Sequence, residues 1–177
     1  MRKLMSNLNN MSRGFVKEDD QEEIPMVPPR ADLPDGVTNY VTENGLKQLL
    51  EEKKALNTEK EQLPPENEKE RRIAINLINS KLQLLNERIS NAKVVDLEEQ
   101  PNDEVRFGAF VSVQIGNSKT TQEYQIVGVD EADIAKQKIS FLSPIARLLI
   151  SNGVGDTAIL QLGKEERVFK IEGIRYS

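Results

Sequence analysis

The sequence predicts an α+β protein: an N-terminal antiparallel α-helical coiled-coil hairpin followed by a small, mainly antiparallel β-sheet domain with one short helix. Two apolar stripes at three-and-four spacing flank Pro64-Pro65. Beyond Val94 the apolar period changes from helical to alternating. No repeat or low-complexity array interrupts either half.

The first stripe comprises Leu46, Leu49, Lys53, Leu56, Lys60 and Leu63, with Leu50 at its side, and Thr42 is placed to cap the helix that carries it. Proline ends that helix, because its ring lacks an amide donor and restrains the residue before it. The second stripe, Ile75, Ile78, Leu82, Leu85 and Ile89, is broadened by Ile73, Leu77 and Leu84. Each stripe must be covered, and its neighbour in sequence is the nearest cover, so the two are expected to pair with Lys53 and Lys60 snorkelling at the seam. A surface seam for self-association is the competing reading of the same residues.

In the second half, Val105, Phe107, Ala109, Val111 and Val113 fall on one face of an expected strand. Further strands are expected over 123–129, 138–142, 157–162 and 167–176, with turns at 116–118 and 163–165. Pro144 suits the first turn of a short helix over 144–151, with Ser143 as its cap. The domains are therefore expected at 1–37, 38–93 and 94–177. Residues 1–37, with an acidic run at 18–23 and four prolines, are expected to be a disordered acidic, proline-rich tail.

Composition narrows the chemistry. The chain has no cysteine and no histidine, which excludes disulfides, thiolate nucleophiles, Cys/His zinc sites and imidazole acid–base catalysis. A net charge of −5 argues against a protein that coats nucleic acid and points toward a protein partner. The apolar runs are too short for a membrane span and Met1–Asn10 lacks the apolar core of a secretory signal, so a cytoplasmic location without membrane contact is expected.

Residues 11–19 (MSRGFVKED), 39–46 (NYVTENGL), 90–96 (SNAKVVD), 106–109 (RFGA), 124–133 (YQIVGVDEAD) and 143–147 (SPIAR) together resemble the bacterial Gre family of transcript cleavage factors, GreA and GreB, and GreB-like members most. Residues 11–19 (MSRGFVKED) look like the start of GreB-like chains, which leaves Met1 or Met11 as the start. Asn39-Tyr40-Val41-Thr42 with Gly45-Leu46 looks like the entrance to the family's first helix, and residues 90–96 (SNAKVVD) are similar to its exit from the hairpin. Arg106-Phe107-Gly108-Ala109, residues 124–133 (YQIVGVDEAD) and Ser143-Pro144-Ile145-Ala146-Arg147 carry the rest of the likeness.

The resemblance implies an FKBP-like globular domain that docks at the rim of the RNA polymerase secondary channel, with the coiled coil running down that channel. It implies a monomeric accessory factor rather than an enzyme. Contact with RNA or DNA would be indirect, and no cofactor would belong to the factor itself. Ser143, Pro144 and Arg147, with Asp130, Glu131 and Asp133, are the expected polymerase-binding residues.

In cleavage-competent members an acidic pair at the tip helps hold a magnesium ion that the polymerase otherwise supplies, and hydrolysis of backtracked RNA follows two-metal logic. Here the tip reads Glu61-Gln62-Leu63-Pro64-Pro65-Glu66-Asn67-Glu68-Lys69-Glu70, with Leu63 where the motif carries Asp. Glu66 and Glu68 are the weak candidates for a shared magnesium site, and no residue is a firm catalytic one. Against them stands a plain reading of Glu61, Glu66, Glu68 and Glu70 as a solvated tip whose acids favour a helix N-terminus. Each arm also looks shorter than in the cleavage factors by about two turns, on the order of 10 Å of reach. The expected outcomes are a transcription elongation factor-like regulator that stimulates cleavage, a secondary-channel regulator that does not cleave, or, in another class, a coiled-coil homodimeric adaptor. Prolyl isomerase activity is not expected, because the chain has five Phe, three Tyr and no Trp, and its aromatics are assigned to the core.

Overall fold

The computed structural model describes residues 26–176. A short strand β1 (Asn39–Val41) leads into helix α1 (Glu43–Glu61), and helix α2 (Glu68–Ser90) returns to strand β2 (Ala92–Val94). The two strands pair in parallel, Asn39 with Ala92 through Val41 with Val94, and so tie the open end of the hairpin.

Thr42 caps α1 as expected, accepting the Gly45 amide at 2.9 Å. Asn67 caps α2 in the same way through the Glu70 amide at 3.2 Å. The hairpin core consists of Val41, Leu49, Leu56, Ile78 and Leu85, with Leu46, Leu63, Leu82 and Ile89 packed around it. The stripes therefore cover each other within one chain. Lys60 lies on the seam and donates across it to Asn79 Oδ1 at 2.7 Å, so a cation at a core-like position is satisfied by the opposite helix. At about 1.5 Å per residue the arms are ~28 and ~34 Å long.

The second part is a five-stranded sheet of order β5-β4-β3-β7-β6. Its strands are β3 (Phe110–Ile115), β4 (Thr121–Val127), β5 (Lys138–Ser140), β6 (Thr157–Leu162) and β7 (Glu165–Arg175). The central pairings β3–β4, β3–β7 and β6–β7 are antiparallel, as expected, whereas β4–β5 is parallel. The parallel pair arises because β4 and β5 are joined by a loop rather than a tight hairpin. Helix α3 (Pro144–Leu149) opens on Pro144 after its Ser143 cap and buries Ala146 and Leu149 in the core beside Val111, Val113, Ile126, Phe169 and Ile171. Among the described residues, no helix is long and apolar enough to cross a membrane.

The expected strand over 105–113 begins only at Phe110. Val105 and Ala109 are fully buried all the same, but outside the named strands: Val105 exchanges backbone bonds with Ser151 and Asn152 beside the Glu104–Gly153 bridge, and the Ala109 amide bonds back to Arg106 across Gly108 at φ +88°. Alternation recorded burial there without a continuous strand. The aromatic assignments also divide. Phe169 is core, but Phe110 lies beneath the Arg175 guanidinium at 3.8 Å, whose partner is Glu123 at 2.7 Å. Phe141 packs against the sheet core and, with Phe107, meets Tyr40 of the hairpin base, with ring centroids 5.7–5.9 Å apart.

The expected free tail extends to residue 37. Residues 1–25 lie outside the described residues, but 26–37 make specific contacts. The Val37 amide bonds to the Pro34 carbonyl around Gly36 (φ +79°), and the Arg88 guanidinium donates to the Ala31 carbonyl. Low hydrophobicity does not free this piece, because it is held by charge rather than by apolar burial.

Truncating Leu85, which is fully buried, is expected to cost about 2–5 kcal/mol as Leu85→Ala. The half-exposed Leu50 is the control: Leu50→Ala should stay within about 0.5 kcal/mol of the parent in urea denaturation.

Candidate functional site

Two places carry the sequence-derived site residues: the hairpin tip and the junction where the hairpin meets the sheet. At the tip, Leu63 folds back against the hairpin core, and Glu61, Pro64, Pro65 and Glu66 are exposed. Glu68 and Glu70 sit in the first turn of α2, where the helix dipole favours acids. No group of three or more acidic residues with metal-holding geometry occurs among the described residues. The motif position is taken by an apolar residue turned inward, and the neighbouring acids are placed as helix-start residues.

The junction is built around two adjacent carboxylates with separate partners. Glu131 is almost completely buried, with a side chain 2% exposed. The Thr42 hydroxyl donates to its Oε2 at 2.5 Å, while Asn44 Nδ2 and Lys138 Nζ donate to Oε1 at 3.0 and 2.9 Å. Thr42 therefore does two things with one oxygen: it accepts from the α1 N-terminus and donates to the sheet domain. Gly45 makes the approach possible, since a Cβ there would stand 2.7 Å from Glu131 Oε2. On the other side of the strand pair, a Cβ on Gly128 would lie 2.6 Å from the Tyr40 carbonyl, so backbone meets backbone closely where β1 crosses the end of β4.

Asp130, 7% exposed, lies between two arginines. Arg30 Nε donates to its Oδ1 at 2.9 Å, and Arg88 Nε stands 3.2 Å from Oδ2. The second contact is an ion pair only: the N–H is off line, and Oδ2 has no hydrogen bond. The remaining Arg30 nitrogens fork onto Glu52 of α1 at 2.9 and 3.0 Å. Those Glu52 bonds, opposed by burial and aided by Asp130, raise the Arg30 pKa above its ordinary value.

Asp130 and Glu131, expected on a docking face, are both buried, and their carboxylates are engaged in fastening the hairpin to the sheet. Asp133 is different: it caps the 3₁₀ turn Ile134–Lys136 and pairs with Lys136 at 3.0 Å, where the lysine's hydrogen bond holds its carboxyl below the usual range. Ser143 is used as the α3 cap, Pro144 is exposed, and Arg147 is exposed with no charged partner among the described residues. Sequence reasoning missed Arg30, Glu52 and Arg88. The available signal was Arg30 itself, the one basic residue among the prolines and acids of 18–37.

A self-paired helical hairpin locked by buried carboxylates to a small mixed sheet is the class of protein that these elements define. Residues 100–176 match the family described as "Transcription elongation factor, GreA/GreB, C-term". The transcription elongation factor GreA of Halorhodospira halophila is 40% identical over 100 residues, which cover 56% of this chain and 63% of that protein. GreA of Maricaulis maris is 42% identical over 81 residues, 46% of this chain and 52% of that one. The chain thus spans less than two thirds of the length of the curated relatives it matches. Among solved structures, GreA/GreB from Nitrosomonas europaea aligns at 20% identity with a TM-score of 0.40, covering 77% of this chain and 98% of that one. GreA factor homolog 1 of Thermus thermophilus aligns at 19% and 0.37, covering 78% and 99%. Residues 100–176 are thus similar in sequence to the GreA/GreB C-terminal domain, and the chain is similar over part of its length to GreA factors.

Removing the Glu131 carboxylate as Glu131→Ala leaves Lys138 and Thr42 without their buried partner and is expected to cost about 3–5 kcal/mol. Asp133→Ala loses a surface cap and should cost about 1 kcal/mol. Thermal and urea unfolding of the two variants, compared side by side, checks the ratio.

Proposed function

We propose that this chain is a Gre-type regulator that docks on bacterial RNA polymerase through its sheet domain and presents the helical hairpin to the secondary channel without a tip-borne metal site. The observation that carries this reading is the match of residues 100–176 to the GreA/GreB C-terminal domain, joined to a hairpin that the same domain holds by buried charge. The exposed docking set then reduces to Pro144, Arg147 and Asp133, with Ser143 holding α3 in place behind them.

The chain acts as an accessory factor rather than an enzyme in this reading. The tip supports occupancy rather than cleavage, because Leu63 packs inward and Glu68 and Glu70 complete a helix start. The factor would change transcription by filling the channel. The homodimeric adaptor has less support, since its motive was an uncovered stripe and Leu49, Leu56, Ile78 and Leu85 are buried within a single chain.

Retention on immobilised RNA polymerase tests docking: Arg147→Glu and Pro144→Ala together are expected to weaken binding about tenfold or more. Equal retention of parent and variant, or none by either, would refute the proposed surface. Transcript cleavage tests the tip. Adding the protein with magnesium to a stalled, backtracked complex should release no more short 3′ RNA than polymerase alone. Fragments that appear with the parent and vanish with Glu66→Ala and Glu68→Ala would show that the tip does supply a metal ligand.

A further inference from the structure

The hairpin meets the sheet domain at its base, through the β1–β2 pair, the Tyr40–Phe107–Phe141 cluster and the Thr42–Asn44–Glu131 bonds. All of these act at or before the first turn of α1. They resist sliding well and tilting poorly, because a contact near a pivot leaves a long arm beyond it. One described contact acts further out: Arg30 grips Glu52, the tenth residue of α1 and so about 14 Å along it, while its Nε holds Asp130 of the sheet domain.

Arg30 thereby links three elements with one side chain, the N-terminal segment, the α1 arm and the loop after β4. The guanidinium is suited to this: a planar fork holds two carboxylates at fixed angles, which a lysine ammonium does not. The segment behind it is itself fastened, through the Ala31 carbonyl on Arg88 and the turn at Pro34–Val37. Arg88 closes the ring from α2, pairing with the same Asp130 and accepting Asn39 Nδ2 on its carbonyl.

We infer that residues 26–37 form an intramolecular strap whose anchor, Arg30, sets the angle between the hairpin and the sheet domain, which makes Arg30 a positioning residue for the tip. The lever is direct. With the strap in place, play is limited at ~14 Å from the pivot, so 1 Å of slack there becomes ~2 Å at the tip, ~28 Å out. Without it the only restraints are at the base, and the same slack is multiplied several times. The inference concerns the free chain and stands apart from the proposal of polymerase docking.

The absence of native cysteine makes the test clean. Spin labels on Gln62→Cys at the tip and Lys164→Cys in the β6–β7 turn, both exposed, report the tip-to-sheet distance by pulsed EPR on the full chain. The parent should give one narrow distribution. Arg30→Ala should widen it about twofold or more, as the lever ratio requires, at unchanged far-UV helicity. Arg30→Lys should fall between the two, and Lys47→Ala, which removes an exposed pair on α1, should not differ from the parent. If Arg30→Ala lowers helicity, Glu52→Ala decides the matter, since it removes both acceptors from the arm and leaves the Arg30–Asp130 bond in place. An unchanged distribution in a folded Arg30→Ala protein, or in Glu52→Ala, overturns the inference.

Discussion

The structure depends on a carboxylate taken out of water at the place where its two parts meet. Glu131 cannot be buried without donors, and it obtains them from both sides: Thr42 and Asn44 at the start of α1, and Lys138 at the start of β5. Such a contact contributes less through net energy than through exclusiveness, because any rearrangement that separates hairpin from sheet strips a buried carboxylate of two of its three donors. Apolar packing between the parts tolerates sliding, whereas the two directed hydrogen bonds from Thr42 and Asn44 do not. The orientation of a rod about 28 Å long is thus decided by atoms within the first turn of its first helix and by the arginine that braces it further out.

The tip and the junction use the same residue types to opposite ends. Glutamates at the tip are exposed, and two of them, Glu68 and Glu70, complete a helix start, whereas Glu131, Asp130 and Glu52 at the junction are all engaged across elements. Carboxylate chemistry in this chain has been concentrated where the rod is aimed.

Much of the fold was legible in the sequence because it rests on period. Leucine and isoleucine at three-and-four spacing gave the two helices and their mutual cover, and Thr42, Ser143 and Pro144 marked the starts of α1 and α3 correctly. Period misled where burial occurs without regular structure, as at Val105 and Ala109, and it was silent on the parallel β1–β2 and β4–β5 pairs, each three residues long. The junction was the least legible part. Asp130-Glu131-Ala132-Asp133 reads as an acidic turn, and nothing in a linear pattern reveals that Arg30 and Thr42, remote in sequence, arrive to neutralise two of its members. Composition likewise marked 26–37 as free, but one guanidinium with three hydrogen bonds to two carboxylates fastens it, with Val27, Leu33 and Val37 only partly buried.

The Thr42–Glu131 bond closes a loop of 89 residues, and Arg30–Asp130 one of 100. Helix pairing between α1 and α2, by contrast, needs only the six residues of the proline turn. Local contacts form first and distant ones wait for the chain between them to collapse, all the more when synthesis proceeds from the N-terminus. The coiled coil is therefore set to pair before the contacts that aim it, and its direction is among the last things the folding chain acquires.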